Sequence, residues 1–374
     1  MAANTPVRMK TIVVSAINIR KGGTLTILRD CLSYLSTLPA ADYRIVALVH
    51  RRELADYAHV EYLEFPDSIR SWGRRLWYEY VKMDAISRQI GNVDLWLSLH
   101  DTTPRVHARR QAVYCQTSFP FLRWKWQDLR YDYKIVLFSL FTRFVYRINI
   151  HRNRFLVVQA EWLREGFARM FSMNKEQFIV FPPQREVEAA EQQSQLSAPY
   201  TFFYAATPDA HKNFETLCRA AELLEQQLGR DAFRLVLTID GSENRYSRDL
   251  KARFGHVSSI HMVGFLTRTR LQELYASAHC LVFPSRVETW GLPISEFASY
   301  CKPMLLADLP YAHETAAGCR QVAFFEAEDS QGLMLKMQAL VHGDRSMLAP
   351  IPTSNPEAPC VHCWQELFAM LLSA

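Results

Sequence analysis

Three groups of residues in this chain are of types that could do chemistry on an anionic substrate. The first is the run Phe283-Pro-Ser-Arg-Val-Glu-Thr-Trp-Gly-Leu-Pro-Ile-Ser-Glu296, in which Glu288 and Glu296 stand eight positions apart. It follows the apolar run Cys280-Leu-Val-Phe283 and leads into a helical pattern from Ile294 to Tyr300. A strand, a turn with glycine and a helix start present backbone N–H groups that lack intrahelical partners, in a positive local potential. Pro293 suits the first helical position, where its missing N–H costs nothing. By themselves the two glutamates read equally well as a solvated loop acid and a helix-surface acid. The second group is His211-Lys212-Asn213 at a predicted helix start, where a lysine opposes the helix dipole unless an anion lies nearby. A plain surface lysine is the alternative. The third is Gly22-Gly23, after the first apolar run; a tight strand-to-helix turn needs glycine with or without a phosphate beside it.

The elements that must position these groups read as alternating strands and helices. Predicted strands cover 10–17, 43–50, 93–99, 111–115 and 154–159 in the first half, with helices over 25–38 and 161–170. In the second half, strands at 200–205 and 233–239, a strand and turn over 260–266 that contains Gly264, and helices from Leu217 and over 269–278 lead to the Phe283–Glu296 run. Continuous Val/Ile/Leu strands alternating with helices predict parallel sheets covered on both faces. Ligands of such sheets gather at the carboxyl ends of the strands. Gly22-Gly23, His100-Asp101 and Gln116-Thr117 all fall there.

The run containing Glu288 and Glu296 resembles the E-x7-E signature of the retaining glycosyltransferases of family 4, with Trp290 where phenylalanine is usual. The following Ser299-Tyr-Cys-Lys-Pro-Met-Leu-Leu-Ala-Asp-Leu-Pro fits the next βα unit of that family. The resemblance implies a GT-B fold, two doubly wound Rossmann-like α/β domains facing across a cleft. It implies that Glu288 holds hydroxyls of the donor sugar and Glu296 the ribose. The amides of Trp290, Gly291 and Leu292 would face the diphosphate, and Lys212 would pair with it, beside His211. Gly22, Gly23 and Gly264 join the donor-binding set. Gln116, His100 and Arg286 are acceptor or cleft candidates.

Two positions depart from the family pattern. Ala206 stands where an arginine often precedes the lysine, so a second cation is unassigned among Arg286, Lys21 and Arg20. Gln116 stands where some relatives have histidine; it can hydrogen-bond a sugar hydroxyl but cannot act as a base. No Asp-x-Asp occurs, so a dedicated divalent-metal motif is missing. The resemblance implies metal-independent transfer with no cofactor beyond the nucleotide-sugar substrate, GDP- or UDP-linked.

Composition bounds the rest. A chain of 374 residues predicts two domains. Residues 1–180 carry 27 Lys and Arg against 16 Asp and Glu, a net of +11, and residues 181–374 a net of −6. Such halves serve different partners. No run suits a signal peptide or a membrane span. Eight cysteines scattered without framework spacing suggest reduced thiols, and Cys360-x-x-Cys363 lacks the further ligands a zinc site needs. Between 68 and 154, Trp72-Gly-Arg-Arg-Leu-Trp77, Phe121-Leu-Arg-Trp-Lys-Trp126 and the apolar run 135–150 put aromatics beside cations. They read either as core with solvated rims or as a surface for an anionic membrane; no nucleic-acid motif is present.

These readings predict an acceptor domain over 1–181, a linker over 182–198, a nucleotide-sugar domain over 199–358, and a last helix in 359–374 packing back across both. The expected activity is retaining transfer of a sugar to a glycan or lipid-linked glycan acceptor in bacterial surface polysaccharide synthesis. The expected location is cytoplasmic, at the inner face of the membrane. Two other readings stay open. One is a nucleotide-sugar epimerase of the same fold, acting without an acceptor. The other is a catalytically silent scaffold subunit, prompted by Ala206 and Gln116.

Overall fold

The computed structural model describes residues 8–183 and 198–373. They form two compact units, 8–117 with 141–183 and 356–373, and 118–140 with 198–355. The elements up to 183 are β1 Lys10–Ala16, α1 Gly23–Ser36, β2 Tyr43–Val49, β3 Val60–Glu64, α2 Trp72–Trp77, α3 Met83–Ile90, β4 Val93–Ser98, β5 Ala108–Cys115, α4 Trp126–Arg147, β6 Phe155–Val158, α5 Glu161–Phe171 and β7 Phe178–Val180. Those that follow are β8 Tyr200–Tyr204, α6 Phe214–Leu228, β9 Phe233–Leu237, α7 Arg245–Phe254, β10 Ile260–Met262, α8 Arg268–Ser277, β11 Cys280–Phe283, α9 Leu292–Ala298, β12 Met304–Ala307, α10 Pro310–Thr315, β13 Val322–Phe325, α11 Ser330–Val341 and α12 Trp364–Ser373.

Both sheets are parallel and doubly wound. The first has the order β3-β2-β1-β4-β5-β6-β7, the second β10-β9-β8-β11-β12-β13. In each, the strand order reverses once, between β1 and β4 and between β8 and β11, which makes the carboxyl ends of those pairs the topological switch points. The continuous apolar strands are explained by burial on both faces. Ile12, Val14 and Ala16 of β1 enter one core with α1 and α12, while Val13 of β1 and the following Ile17 enter another with Tyr78, Met83 and Ile86. Trp364, Leu367, Phe368 and Leu371 of α12 sit in the first of these cores. The C-terminal segment is thus part of the first unit.

Several boundaries differ from the sequence expectation. α1 begins at Gly23, so the second glycine of the pair is helical. α9 runs from Leu292 to Ala298, with Gly291 as its N-cap and Pro293 as its second residue. Strand β3 escaped prediction because it is a half-exposed edge with no apolar run, and β7 because it is three residues long. Segment 118–140 groups with the second unit although it precedes β8. Of the expected linker, residues 184–197 lie outside the described residues.

Candidate functional site

At the second switch point, the loop after β8 carries Lys212 and the loop after β11 carries Glu288. Lys212 Nζ lies 2.6 Å from Glu288 Oε1, with the two side chains 17% and 14% exposed. This is the pair that the sequence placed 76 residues apart. Its walls are rigid for identifiable reasons. Asn213, in the left-handed conformation at φ 57°, caps α6 and donates to the carbonyls of Pro284 (3.1 Å) and Ala327 (2.5 Å). Tyr204 donates to the Lys212 carbonyl at 2.8 Å and lies 3.1 Å from Ser285 Oγ. Tyr311 donates to the Ser285 carbonyl at 2.6 Å. Short charge-bearing loops held by buried tyrosine hydroxyls lose little entropy when a ligand arrives.

Gly291 has φ 95°, a conformation that side-chain-bearing residues rarely adopt. A Cβ there would stand 3.2 Å from Ile294 Cδ1 and 3.6 Å from the Tyr311 ring. The turn therefore needs glycine, and it sets the direction of the Trp290, Gly291 and Leu292 amides at the start of α9. Trp290 is buried, its carbonyl accepts from Thr315 Oγ1, and its indole nitrogen has no partner among the described residues. Glu296, one turn into α9, accepts from the buried Tyr275 hydroxyl at 3.0 Å. Gly264 lies after β10 at φ 76°, where a Cβ would approach Asp240 Oδ2 to 3.2 Å; the close packing on Asp240 accounts for this glycine.

His211 is buried, its ring edge-on to Phe119 at 5.2 Å, and its Nδ1 lacks a partner among the described residues. Burial, then the charges of Lys212 and Arg286, push its pKa well below the ordinary histidine value, so the ring is neutral. Arg286 requires a correction. As a second cation for a ligand it is withdrawn: Nη1 and Nη2 donate to Asp128 Oδ2 (3.0 Å) and Oδ1 (2.6 Å), with both side chains almost fully buried. Nη2 also reaches the Ala210 carbonyl, and the Arg286 amide donates to the His211 carbonyl at 2.8 Å. Arg286 therefore ties the β11 loop to the β8 loop and to segment 118–140. Nothing in the sequence links two residues 158 apart. Ala206, in the place of the usual arginine, is held on both its amide and its carbonyl by Thr238 Oγ1.

The first switch point is differently built. Gly22 caps α1 at φ 70°, and Cβ atoms at Gly22 or Gly23 would meet nothing within 4 Å among the described residues. Arg20 and Lys21 beside them are exposed. His100, however, is 2% exposed. Its Nε2 is 3.0 Å from Ser15 Oγ and its Nδ1 2.9 Å from Thr102 Oγ1, and Glu79 lies 3.4 Å away. Glu79 in turn accepts from Thr102 and, at 2.8 Å, from Arg75. Burial lowers the His100 pKa. As a cleft residue His100 is corrected to a member of a closed network. Gln116 donates through Nε2 to the Leu99 carbonyl at 2.7 Å, leaving its buried Oε1 without a partner among the described residues.

Asp101, which spacing did not single out, accepts from the amides of Gln116 (2.5 Å) and Thr117 (3.1 Å) and has φ 67°. Burial, only partly countered by those amides and by Arg75, pushes its pKa up to about 6. A non-glycine residue at positive φ is a feature that local sequence pattern does not announce.

Residues 186–350 match the family model described as Glycosyl transferases group 1. That match lies in the sequence of the second unit. The chain is 22% identical over 300 residues to the O-antigen chain mannosyltransferase RfbU of Salmonella typhimurium, covering 73% of this chain and 79% of that protein. Among solved structures it is similar to WaaG, a glycosyltransferase involved in lipopolysaccharide biosynthesis, at 16% identity and a TM-score of 0.64, covering 97% of this chain and 100% of that one. It is also similar to Anabaena HepE in complex with UDP and glucose, at 14% identity and a TM-score of 0.59, covering 91% and 92%. The fold is GT-B.

Proposed function

We propose that this protein transfers a sugar from a nucleotide-diphosphate donor, with retention at the anomeric carbon, to a lipid-linked glycan in bacterial surface polysaccharide synthesis. The observation that carries the reading is the Lys212–Glu288 pair at the β8/β11 switch point, 2.6 Å apart and open to solvent on one side. The diphosphate displaces Glu288 from Lys212, whose ammonium then stabilises the charge that develops on the leaving phosphate. Glu288, freed of its cation, accepts hydrogen bonds from the donor sugar hydroxyls. The Trp290–Leu292 amides face the diphosphate, and Glu296 fixes the ribose from its place against Tyr275.

The acceptor hydroxyl attacks the anomeric carbon on the face the diphosphate leaves, and its proton passes to the departing phosphate oxygen. That route needs no base at Gln116. Lys212 supplies the positive charge, so the transfer runs without a bound metal. The acceptor binds the first unit, near Gly22-Gly23 and Gln116, and a lipid-linked acceptor places the protein at the inner face of the cytoplasmic membrane. The names of the similar proteins, from O-antigen and lipopolysaccharide synthesis and from a UDP complex, support a surface-polysaccharide role and a nucleotide-linked donor.

Thermal stabilisation by UDP-, GDP-, dTDP- and CMP-sugars tests the reading. One nucleotide class should raise the melting temperature of the wild type, and Glu296→Ala should lose most of that shift. No shift with any donor sinks the proposal.

A further inference from the structure

Asp101 lies just past the carboxyl end of β4 at φ 67°, on the left-handed side of backbone space where residues other than glycine are uncommon. Its hydrogen bonds show what that conformation achieves. Oδ1 reaches across to the loop after β5, accepting from the Gln116 amide at 2.5 Å and the Thr117 amide at 3.1 Å. Oδ2 has no hydrogen-bond partner among the described residues, and the residue is partly exposed. One oxygen fixes the carboxylate and the other is left over.

Two further polar atoms beside it are unspent. Gln116 uses Nε2 on the Leu99 carbonyl, and its buried Oε1 has no partner among the described residues. The Tyr146 hydroxyl of α4 is buried with none either, and Asp101 is the charge that acts on it most strongly. Asp101, Gln116 and Tyr146 all belong to the first unit. Buried polar atoms without partners are uncommon, and each calls for a ligand or an ordered water. The polar groups around them are already engaged: Arg75 with Glu79 and the His100 carbonyl, His100 with Ser15 and Thr102.

The chemistry of the three oxygens narrows the ligand. The ionised Asp101 carboxylate and Gln116 Oε1 only accept hydrogen bonds, while the Tyr146 hydroxyl can accept or donate. A phosphate or carboxylate would be repelled by Asp101. A metal ion would be repelled by the Arg75 guanidinium, which acts on both Asp101 and Tyr146. A neutral group rich in O–H donors meets neither objection. Sugar hydroxyls are such a group, and a carboxylate accepts from them in charge-assisted hydrogen bonds.

We propose that Asp101 is an acceptor-binding residue whose free oxygen, with Gln116 Oε1 and the Tyr146 hydroxyl, takes hydroxyls of the acceptor sugar. Calling that sugar the acceptor rests on the transferase reading; the binding itself does not. Because the ionised carboxylate is the stronger acceptor, affinity should follow the charge of Asp101. The titratable groups that face it are Arg75 of α2, Glu79 just after α2, His100 beside it in sequence, Cys115 of β5 and Tyr146 of α4. Burial keeps the Cys115 thiol and the Tyr146 phenol protonated, and Arg75 and Glu79 are paired. Asp101, pushed up to about 6 by burial, changes charge between about pH 5 and pH 7.

Saturation-transfer NMR on the full-length protein, without donor, reads the binding of methyl glycosides of mannose, galactose, glucose and N-acetylglucosamine. At least one should bind, about tenfold more tightly at pH 7 than at pH 5. Asp101→Ala should weaken that binding about 10–100-fold at pH 7. Asp101→Asn, which keeps an acceptor oxygen, should bind the same sugar weakly and with no pH dependence over the window. Both variants should keep the donor-induced thermal shift of the wild type, which separates a lost sugar site from a lost fold. The proposal is overturned if Asp101→Asn binds with the strength and pH profile of the wild type, or if the wild-type profile is flat. It is also overturned if no glycoside binds the wild type, which assigns the three oxygens to an ordered water. A wild type that binds a glycoside as expected but shows no donor shift sinks the transferase reading and leaves the sugar site standing.

Discussion

The two switch points share a topology and differ in how their charges are satisfied. At β1/β4, Arg75, Glu79, His100, Thr102 and Ser15 close a ring of hydrogen bonds among themselves, with Glu79 and His100 fully buried. At β8/β11, Lys212 and Glu288 have each other and an opening to solvent, while the neighbouring Arg286 is sealed by Asp128. A charge at a strand end is therefore not a ligand site by position alone. Groups whose hydrogen-bonding capacity is spent internally specify the fold, since breaking one leaves another buried and unpaired. Groups left with one exchangeable partner are the ones that a ligand can recruit.

The contrast can be broken in four places. The largest effect should come from Asp128→Ala, which leaves Arg286 buried without its carboxylate and should cost about 3–5 kcal/mol of stability in denaturant melts. If the loss is below about 1 kcal/mol, the pair is not the seal described. Next, Lys212→Ala should leave the melting temperature nearly unchanged while transfer falls by about 10²–10³ in kcat; a large drop in stability would place Lys212 with the sealed groups instead. Gly291→Ala forces a side chain into a left-handed conformation and should cost about 1–2 kcal/mol. It should also weaken donor binding, because the amides before α9 turn away. A donor shift identical to the wild type would show that those amides do not matter.

The fourth effect, at Asp101, emerges only as pH changes. Its folded pKa of about 6 lies above the ordinary carboxylate value of 3.8. The folded state thus binds the proton more tightly than the unfolded chain, and ionisation costs stability as pH rises from about 4 to about 6. Asp101→Asn keeps an acceptor for the Gln116 and Thr117 amides. It should match the wild type near pH 4 and exceed it by up to about 3 kcal/mol above pH 6, measured by melts across that range. A parallel pH profile for both proteins would remove the buried carboxylate as a titrating group.

Much of the fold was legible because it rests on local pattern. Strands such as Ile12–Val14 and Leu281–Phe283 are apolar on both faces, as buried parallel strands must be, and Gly291 announced a turn that only glycine fits. Lys212 and Glu288 were legible as candidates from the motifs around them. The edge strand β3 was not, since half its residues face water. Arg286 was misjudged because a free and a sealed arginine look alike in sequence; the carboxylate that decides the matter is 158 residues away. His100 and Gln116 were ambiguous for the same reason.

The sequence by itself determined the alternation of strands and helices, the glycine turns and the chemical types at the strand ends, because backbone sterics and hydrophobic periodicity act over a few residues. Only the tertiary structure decided which charges are spent on one another and which face of α4 meets water. Those outcomes depend on contacts between distant segments, and Ser139 and Thr142 turn inward while Phe141 and Phe144 turn outward for reasons no local pattern carries.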